Sequence, residues 1–246
     1  MSEKTRLKGS AERRSGPYPL GEITDKVATA IGMRIVHRLA VGHADITGDD
    51  FGGIFASAID GVHRGKPLGI ADVEWNGCAW SVKTVQAKKP FNQSRIRLIS
   101  GRNSPSYSAD IPNPFADTQA TGRAVLEVWN ARVDEALHSH DDLRILVIIR
   151  NMDTLEFTLF EHEGARFIPT EYQWTVNEKK NFIGCDARGE HCFTWQPHGS
   201  QFTIMHCVPA SAYRFRILKR PAMVPEKQVL EMVGFEGNWI EHVESV

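Results

Sequence analysis

The chain has 246 residues, a formal net charge of −1 and a pI near 6.8, with 41% hydrophobic and 24% charged residues. These are the proportions of an ordinary soluble globular protein with enough chain to bury a sizeable core. No apolar run approaches the roughly 18–20 residues that span a bilayer, and the opening MSEKTRLKGSAERRSG lacks the apolar stretch of a signal peptide. The expectation is a cytoplasmic protein with no membrane partner. Its cysteines, Cys78, Cys185, Cys192 and Cys207, form no CxxC pair, which argues against a disulfide framework. With His191 and His206 they do not show a zinc spacing either.

Residues 1–20 read as a flexible basic arm, and 21–246 as one domain. Its core spans about 48–150 and its β-rich part 151–246. Thr24 can cap a helix carrying Val27, Ile31, Ile35 and Leu39 at helical spacing, broken by Gly42. A second helix, opened by Thr47 or Asp49, carries Phe51, Ile54, Phe55 and Ile59 until Gly61 stops it. Then LGIADVEW and CAWSVKTVQ flank Asn76-Gly77, the strongest short hairpin signal. Residues 90–116, rich in Pro, Ser, Asn and Gly, read as a long loop. A helix follows over Thr118 to His138, with Ala124, Leu126, Val128, Trp129, Val133 and Leu137 on or near one stripe. LRILVIIR (143–150) is a strand buried on both faces, and LEFTLFEH (155–162) a strand with one wet face. HCFTWQPHGSQFTIMHCV and YRFRILKR read as further strands, and PEKQVLEMVG as a short helix. Together these give an α/β fold, a mixed β-sheet flanked by helices with a β-rich C-terminal half.

A two-residue Asn-Gly turn fixes the hairpin register: Trp75 faces Cys78, Glu74 faces Ala79, Val73 faces Trp80 and Asp72 faces Ser81. Ala71, Val73, Trp75, Cys78, Trp80 and Val82 then share a core face. Asp72, Glu74, Ser81 and Lys83 converge on the other. Such a patch serves either as a solvated edge with cross-strand ion pairs or as a site for metal-dependent phosphodiester hydrolysis. In the second case paired carboxylates hold a divalent cation and a lysine offsets developing charge. From Lys83 to Ala109 the chain carries Lys88, Lys89, Arg95, Arg97 and Arg102 without a single acid, a composition suited to phosphate contact.

At these residues the chain resembles the PD-(D/E)xK nuclease superfamily, and within it the type II restriction endonucleases. The resemblance covers about residues 48–150 and implies an αβββαβ core. It implies Mg²⁺ as cofactor and double-stranded DNA as partner, while GSAERRSG has no phosphate-loop spacing, so no nucleotide cofactor is expected. Asp72 takes the position of the motif's first acid and Ser81-Val82-Lys83 that of its (D/E)-x-K triplet. The Val82 carbonyl is then a further metal ligand. Ser81 stands where the motif has an acid, so Glu74, or next Asp50, is the candidate second carboxylate.

By the same resemblance, the loop after Lys83 and the C-terminal strands carry base readout. Arg95, Arg97, Arg102 and Asn103 suit guanine, and Gln196, His198 and Gln201 adenine. Cutting a symmetric duplex site calls for two active sites and hence a homodimer. The other readings are a structure-selective repair or recombination nuclease, and a DNA-binding module whose nuclease site has decayed.

Overall fold

A computed structural model of the chain describes residues 16–65 and 69–243. Most of the expected basic arm lies outside these residues. Its last part is no arm: Tyr18 is buried, its hydroxyl donates to Glu161 Oε1 at 2.8 Å, and the Gly21 N–H donates to Glu161 Oε2 at 3.2 Å.

The helices in chain order are α1 (Asp25–Ala40), α2 (Gly48–Ala58), α3 (Pro105–Ser108), α4 (Thr118–Ser139) and α5 (Glu226–Met232). Thr24 caps α1 by accepting the Val27 N–H, and Val27, Ile31, Ile35 and Leu39 are its buried stripe, as the spacing predicts. At α2, Thr47 and Asp50 satisfy each other's backbone N–H groups in a capping box. That helix ends at Ala58, ahead of the expected stop at Gly61. In α4, Ala136 takes an inward position and Leu137 is exposed, contrary to the expected stripe.

The strands are β1 (Val62–His63), β2 (Val73–Trp75), β3 (Cys78–Gln86), β4 (Arg95–Arg102), β5 (Asp142–Asn151) and β6 (Glu156–Glu163). After them come β7 (Gln173–Val176), β8 (Phe182–Cys185), β9 (His191–Gln196), β10 (Gln201–Cys207) and β11 (Tyr213–Arg216). Sheet 1 runs β1-β2-β3-β5-β6-β11, with β3 and β5 parallel and every other pair antiparallel. Sheet 2 runs β4-β10-β9-β8-β7 and is antiparallel throughout.

The hairpin register is the predicted one: Trp75 pairs with Cys78, Glu74 with Ala79 and Val73 with Trp80. Asn76 and Gly77, at φ 42° and 85°, supply the two left-handed positions that this tight turn needs. Regular pairing stops at Asp72, whose N–H donates to the Trp80 carbonyl at 2.8 Å. Ala71 is therefore not on the face of Val73 and Trp75. It packs with Ile70 on the opposite side.

Sheet 1 is covered on both faces. On one, Trp80, Leu146, Ile148, Phe157 and Leu159 meet Ile31 and Ile35 of α1 and Phe51 and Phe55 of α2. On the other, Ala79, Ile145, Val147 and Phe160 share a core with Trp129 and Val133 of α4 and with Phe193 and Phe202 of sheet 2. Each of the larger aliphatic and phenylalanine side chains contributes about 1.5–3 kcal/mol on full burial. β5 is buried from Leu143 to Arg150, as its unbroken apolar run predicts.

Two expectations fail here. β6 has no wet face from Phe157 to Glu161, because Thr158 donates to the Pro90 carbonyl and Glu161 accepts from Tyr18, Trp80 and Arg144. Nor is 90–116 one long loop: Arg95–Arg102 alternates exposed and buried residues as β4, and α3 follows.

Candidate functional site

Asp72 stands where β2 departs from regular pairing, which frees its carboxylate to turn along β3. Asp72 Oδ2 accepts the Val82 N–H at 2.7 Å and the Ser81 hydroxyl at 3.4 Å, and lies 3.6 Å from Lys83 Nζ. The Asp72 and Lys83 side chains are both 27% exposed, so solvent and a ligand can reach them. Ser81 itself is buried. Lys83 pairs with Val147 of β5 and projects on the α4 side of sheet 1. Four of the expected residues, Asp72, Ser81, Val82 and Lys83, are thus together.

The two candidates for a second acid are elsewhere. Glu74 is turned to Arg64, at 2.5 Å, and to His140 Nε2, at 3.4 Å. The Arg64 hydrogen bond holds the Glu74 carboxyl below its ordinary range, and the His140 ring adds to this. Asp50 closes the α2 capping box and pairs with Arg38. Because α2 packs on the Trp80 face, Asp50 lies across the sheet from Lys83. Among the described residues, no group of three or more His, Cys, Asp or Glu side chains converges. The four cysteines are all free.

The expected DNA-facing residues divide more sharply. Arg102 of β4 pairs with Gln201 of β10, which pairs with Gln196 of β9. These three side chains therefore form one row across sheet 2, at the end where the turn bearing exposed His198 joins β9 to β10. Arg95 and Arg97 project from the outer face of β4, beside Cys207 and Met205 of β10. Lys88 and Lys89 are exposed in the connection from β3 to β4.

Asn103 does not belong with them. It is fully buried, its Nδ2 donates to the Val125 carbonyl of α4 at 2.8 Å, and its own carbonyl accepts from Trp195 Nε1 at 2.7 Å. It ties β4 to α4 and β9.

One feature escaped the residue pattern altogether. Tyr107 of α3 is 90% exposed and lines a cleft of about 430 Å³ with Arg102, Arg132 and Glu127. Pro105, well placed at the first turn of a helix, is the signal in the sequence that could have located α3.

Comparison of the chain with protein-family models, with curated proteins and with solved structures finds no match.

Proposed function

We propose that the chain is a Mg²⁺-dependent, sequence-specific double-stranded DNA endonuclease of the type II restriction kind, with Asp72 and Lys83 as its catalytic pair. The observation that carries this reading is the meeting of Asp72, Ser81, the Val82 backbone and Lys83 across one hairpin, on a half-open face. The element order supports it: α2, the meander β1-β2-β3 and then, past β4 and α3, α4 and β5 parallel to β3 are compatible with the αβββαβ order of the PD-(D/E)xK core.

A carboxylate, a hydroxyl and a backbone carbonyl are oxygen donors of the sort Mg²⁺ takes while retaining several waters, so this donor set fits it. Asp72 and the Val82 carbonyl would hold the ion. In extended chain that carbonyl points to the same side as the Val82 N–H, and so toward Asp72. The bound ion would polarise the phosphate and lower the pKa of its water. Lys83 offsets the negative charge that builds on the phosphate as the P–O bond breaks. Ser81 fixes the Asp72 carboxylate from below.

On sheet 2, Arg102 can hold guanine, and Gln201 and Gln196 adenine, through paired hydrogen bonds. Arg95, Arg97, Lys88 and Lys89 serve the phosphates. A homodimer brings two such sites to one duplex.

The engagement of Glu74 and Asp50 by other partners favours one second reading, a DNA-binding module in which Ser81 marks a decayed site. Incubation of plasmid DNA with the purified protein and Mg²⁺ or Mn²⁺ separates the two. Discrete fragments with one fixed cut position support the endonuclease. Binding without nicking in either metal leaves the decayed module, and cleavage governed by DNA structure rather than sequence indicates a repair or recombination nuclease.

A further inference from the structure

The row Arg102–Gln201–Gln196 ends at a cleft that duplex readout does not use. After Arg102 the chain turns into α3, which packs on α4. The space between them, about 430 Å³, has Arg102 and Tyr107 on one wall and Glu127, Ala131, Arg132 and Glu135 of α4 on the other. Pockets of about 300–1,000 Å³ suit a small planar ligand.

A single exposed ring is ordinary on a protein surface. This one is 90% exposed and yet held on a fixed backbone. Pro105 is buried, and the Ser108 and Ala109 N–H groups bond to the Ser104 and Pro105 carbonyls, each at 2.9 Å. A ring mounted in this way loses little freedom when something stacks on it.

The opposite wall holds a cation that the protein leaves unpaired. Arg132 donates to the Arg102 carbonyl and rests against the bare backbone of Gly101, where a Cβ would lie 2.1 Å from Arg132 Nη1. Burial lowers the Arg132 pKa, and the charge of Glu135 only partly offsets this. Among the described residues, no carboxylate forms an ion pair with Arg132 or with Arg102. A half-buried guanidinium with donors to spare is costly until a ligand accepts from it.

The balance of charge says which ligand. Arg102 and Arg132 face Glu127 and Glu135, so the cleft as a whole is neutral. A phosphate subsite is basic throughout. Donors and acceptors set beside an exposed ring suit a planar group whose edge carries both, and in DNA that group is the base.

We propose that the α3–α4 cleft is a subsite for one unstacked nucleobase of bound DNA, laid on the Tyr107 ring with its edge toward Arg132 and Glu127. In a duplex the nucleotide must first turn out of the helix, at the cost of its pairing and stacking. A single strand avoids that cost. The inference rests on the reading of the chain as a DNA-binding protein, and not on cleavage.

The test uses the full chain in EDTA, with a fluorescently labelled strand of about twelve thymidines, a length within the reach of a single-strand groove. Anisotropy reports the affinity. Tyr107→Ala should weaken binding about tenfold or more, as loss of a base–aromatic stack does, and Tyr107→Phe should bind like the native chain. The salt dependence should be the same in all three, because it counts phosphate contacts. An abasic strand of equal length should bind weakly and be indifferent to Tyr107→Ala. Ala131→Leu, at an exposed helical position that accepts leucine, fills the cleft without touching the ring and should weaken binding similarly. Circular dichroism should be unchanged in each variant; if Tyr107→Ala unfolds, Ala131→Leu gives the same reading. No binding of the thymidine strand, equal binding of the abasic strand, or indifference to these substitutions overturns the subsite. Failure of the nuclease reading looks different: plasmid stays intact in Mg²⁺ and Mn²⁺ while the thymidine strand still binds through Tyr107.

Discussion

Asp72 does two jobs at once, and they can be separated. It accepts the Val82 N–H that begins the hairpin, and it holds a charge beside Lys83. Asp72→Asn keeps an acceptor for Val82 while removing the charge. Cleavage should fall by about 10²–10³-fold or more, with the melting temperature and DNA affinity little changed. Lys83→Met should do the same to cleavage, and full activity in either variant removes the pair from the chemistry. Asn103→Ala should show the reverse behaviour. It removes the hydrogen bond that ties β4 to the Val125 carbonyl of α4 and should lower stability by about 0.5–1.5 kcal/mol in urea unfolding, while a DNA-binding assay stays unmoved. The Asp72–Lys83 meeting was legible because Asn76-Gly77 fixes the register of everything beside it. The partners of Glu74 were not: Arg64 comes from beyond β1 and His140 from the end of α4, and neither lies within reach of any local pattern.

At the scale of elements, period and turn chemistry carried most of the reading. The capping residues of α1 and α2, the hairpin and the doubly buried β5 all follow from local pattern. β4 was masked by its basic composition, although Ile96 and Leu98 alternate with Arg95 and Arg97 as a half-buried strand requires. β6 misled for another reason. Glu156, Thr158 and His162 alternate with Phe157 and Leu159 like a wet face, but Thr158 is buried against the Pro90 carbonyl, and on the opposite face Glu161 meets Tyr18 and Arg144. Helix α4 offers a test of such packing. Ala at an exposed helical position is favoured over Gly by about 1 kcal/mol. At Gly122 the sign should reverse, because an added Cβ would sit 2.2 Å from the buried Trp174 ring of β7. Gly122→Ala should lower the melting temperature and shift the tryptophan emission. An unchanged or raised melting temperature would show that α4 and β7 are not in close contact.

The molecule as a whole has a pH dependence written between its sheets. His162 of β6 and His206 of β10 stack at 4.7 Å, and the Nε2 atoms of both are buried without a partner. Burial lowers both pKa values, that of His206 to about 4, where the neighbouring His162 adds to the effect. A histidine ordinarily titrates near 6.5. As pH falls from there toward 4, the unfolded chain therefore takes up protons that the folded chain refuses. The stability held by these neutral rings is complete above pH 6.5 and is lost through that window. Urea midpoints measured across it should decline on acidification, and His206→Phe should flatten the slope. A decline of equal steepness in that variant would assign the acid sensitivity to other groups.

Sheet 2 also sets an order of events during synthesis. β4 is made before α4 and β5, yet its strand partner among the described residues, β10, begins about a hundred residues later at Gln201. Closing so long a loop is slow. While the ribosome finishes the chain, the arginine-rich strand waits with its hydrogen-bonding edge unfilled, its charges guarding it against wrong pairing. The row Arg102–Gln201–Gln196 comes into being only when the final quarter of the polypeptide folds back. Asp72 and Lys83 meet within one local hairpin long before. On the proposed reading, the cutting pair would form before the row that selects the site.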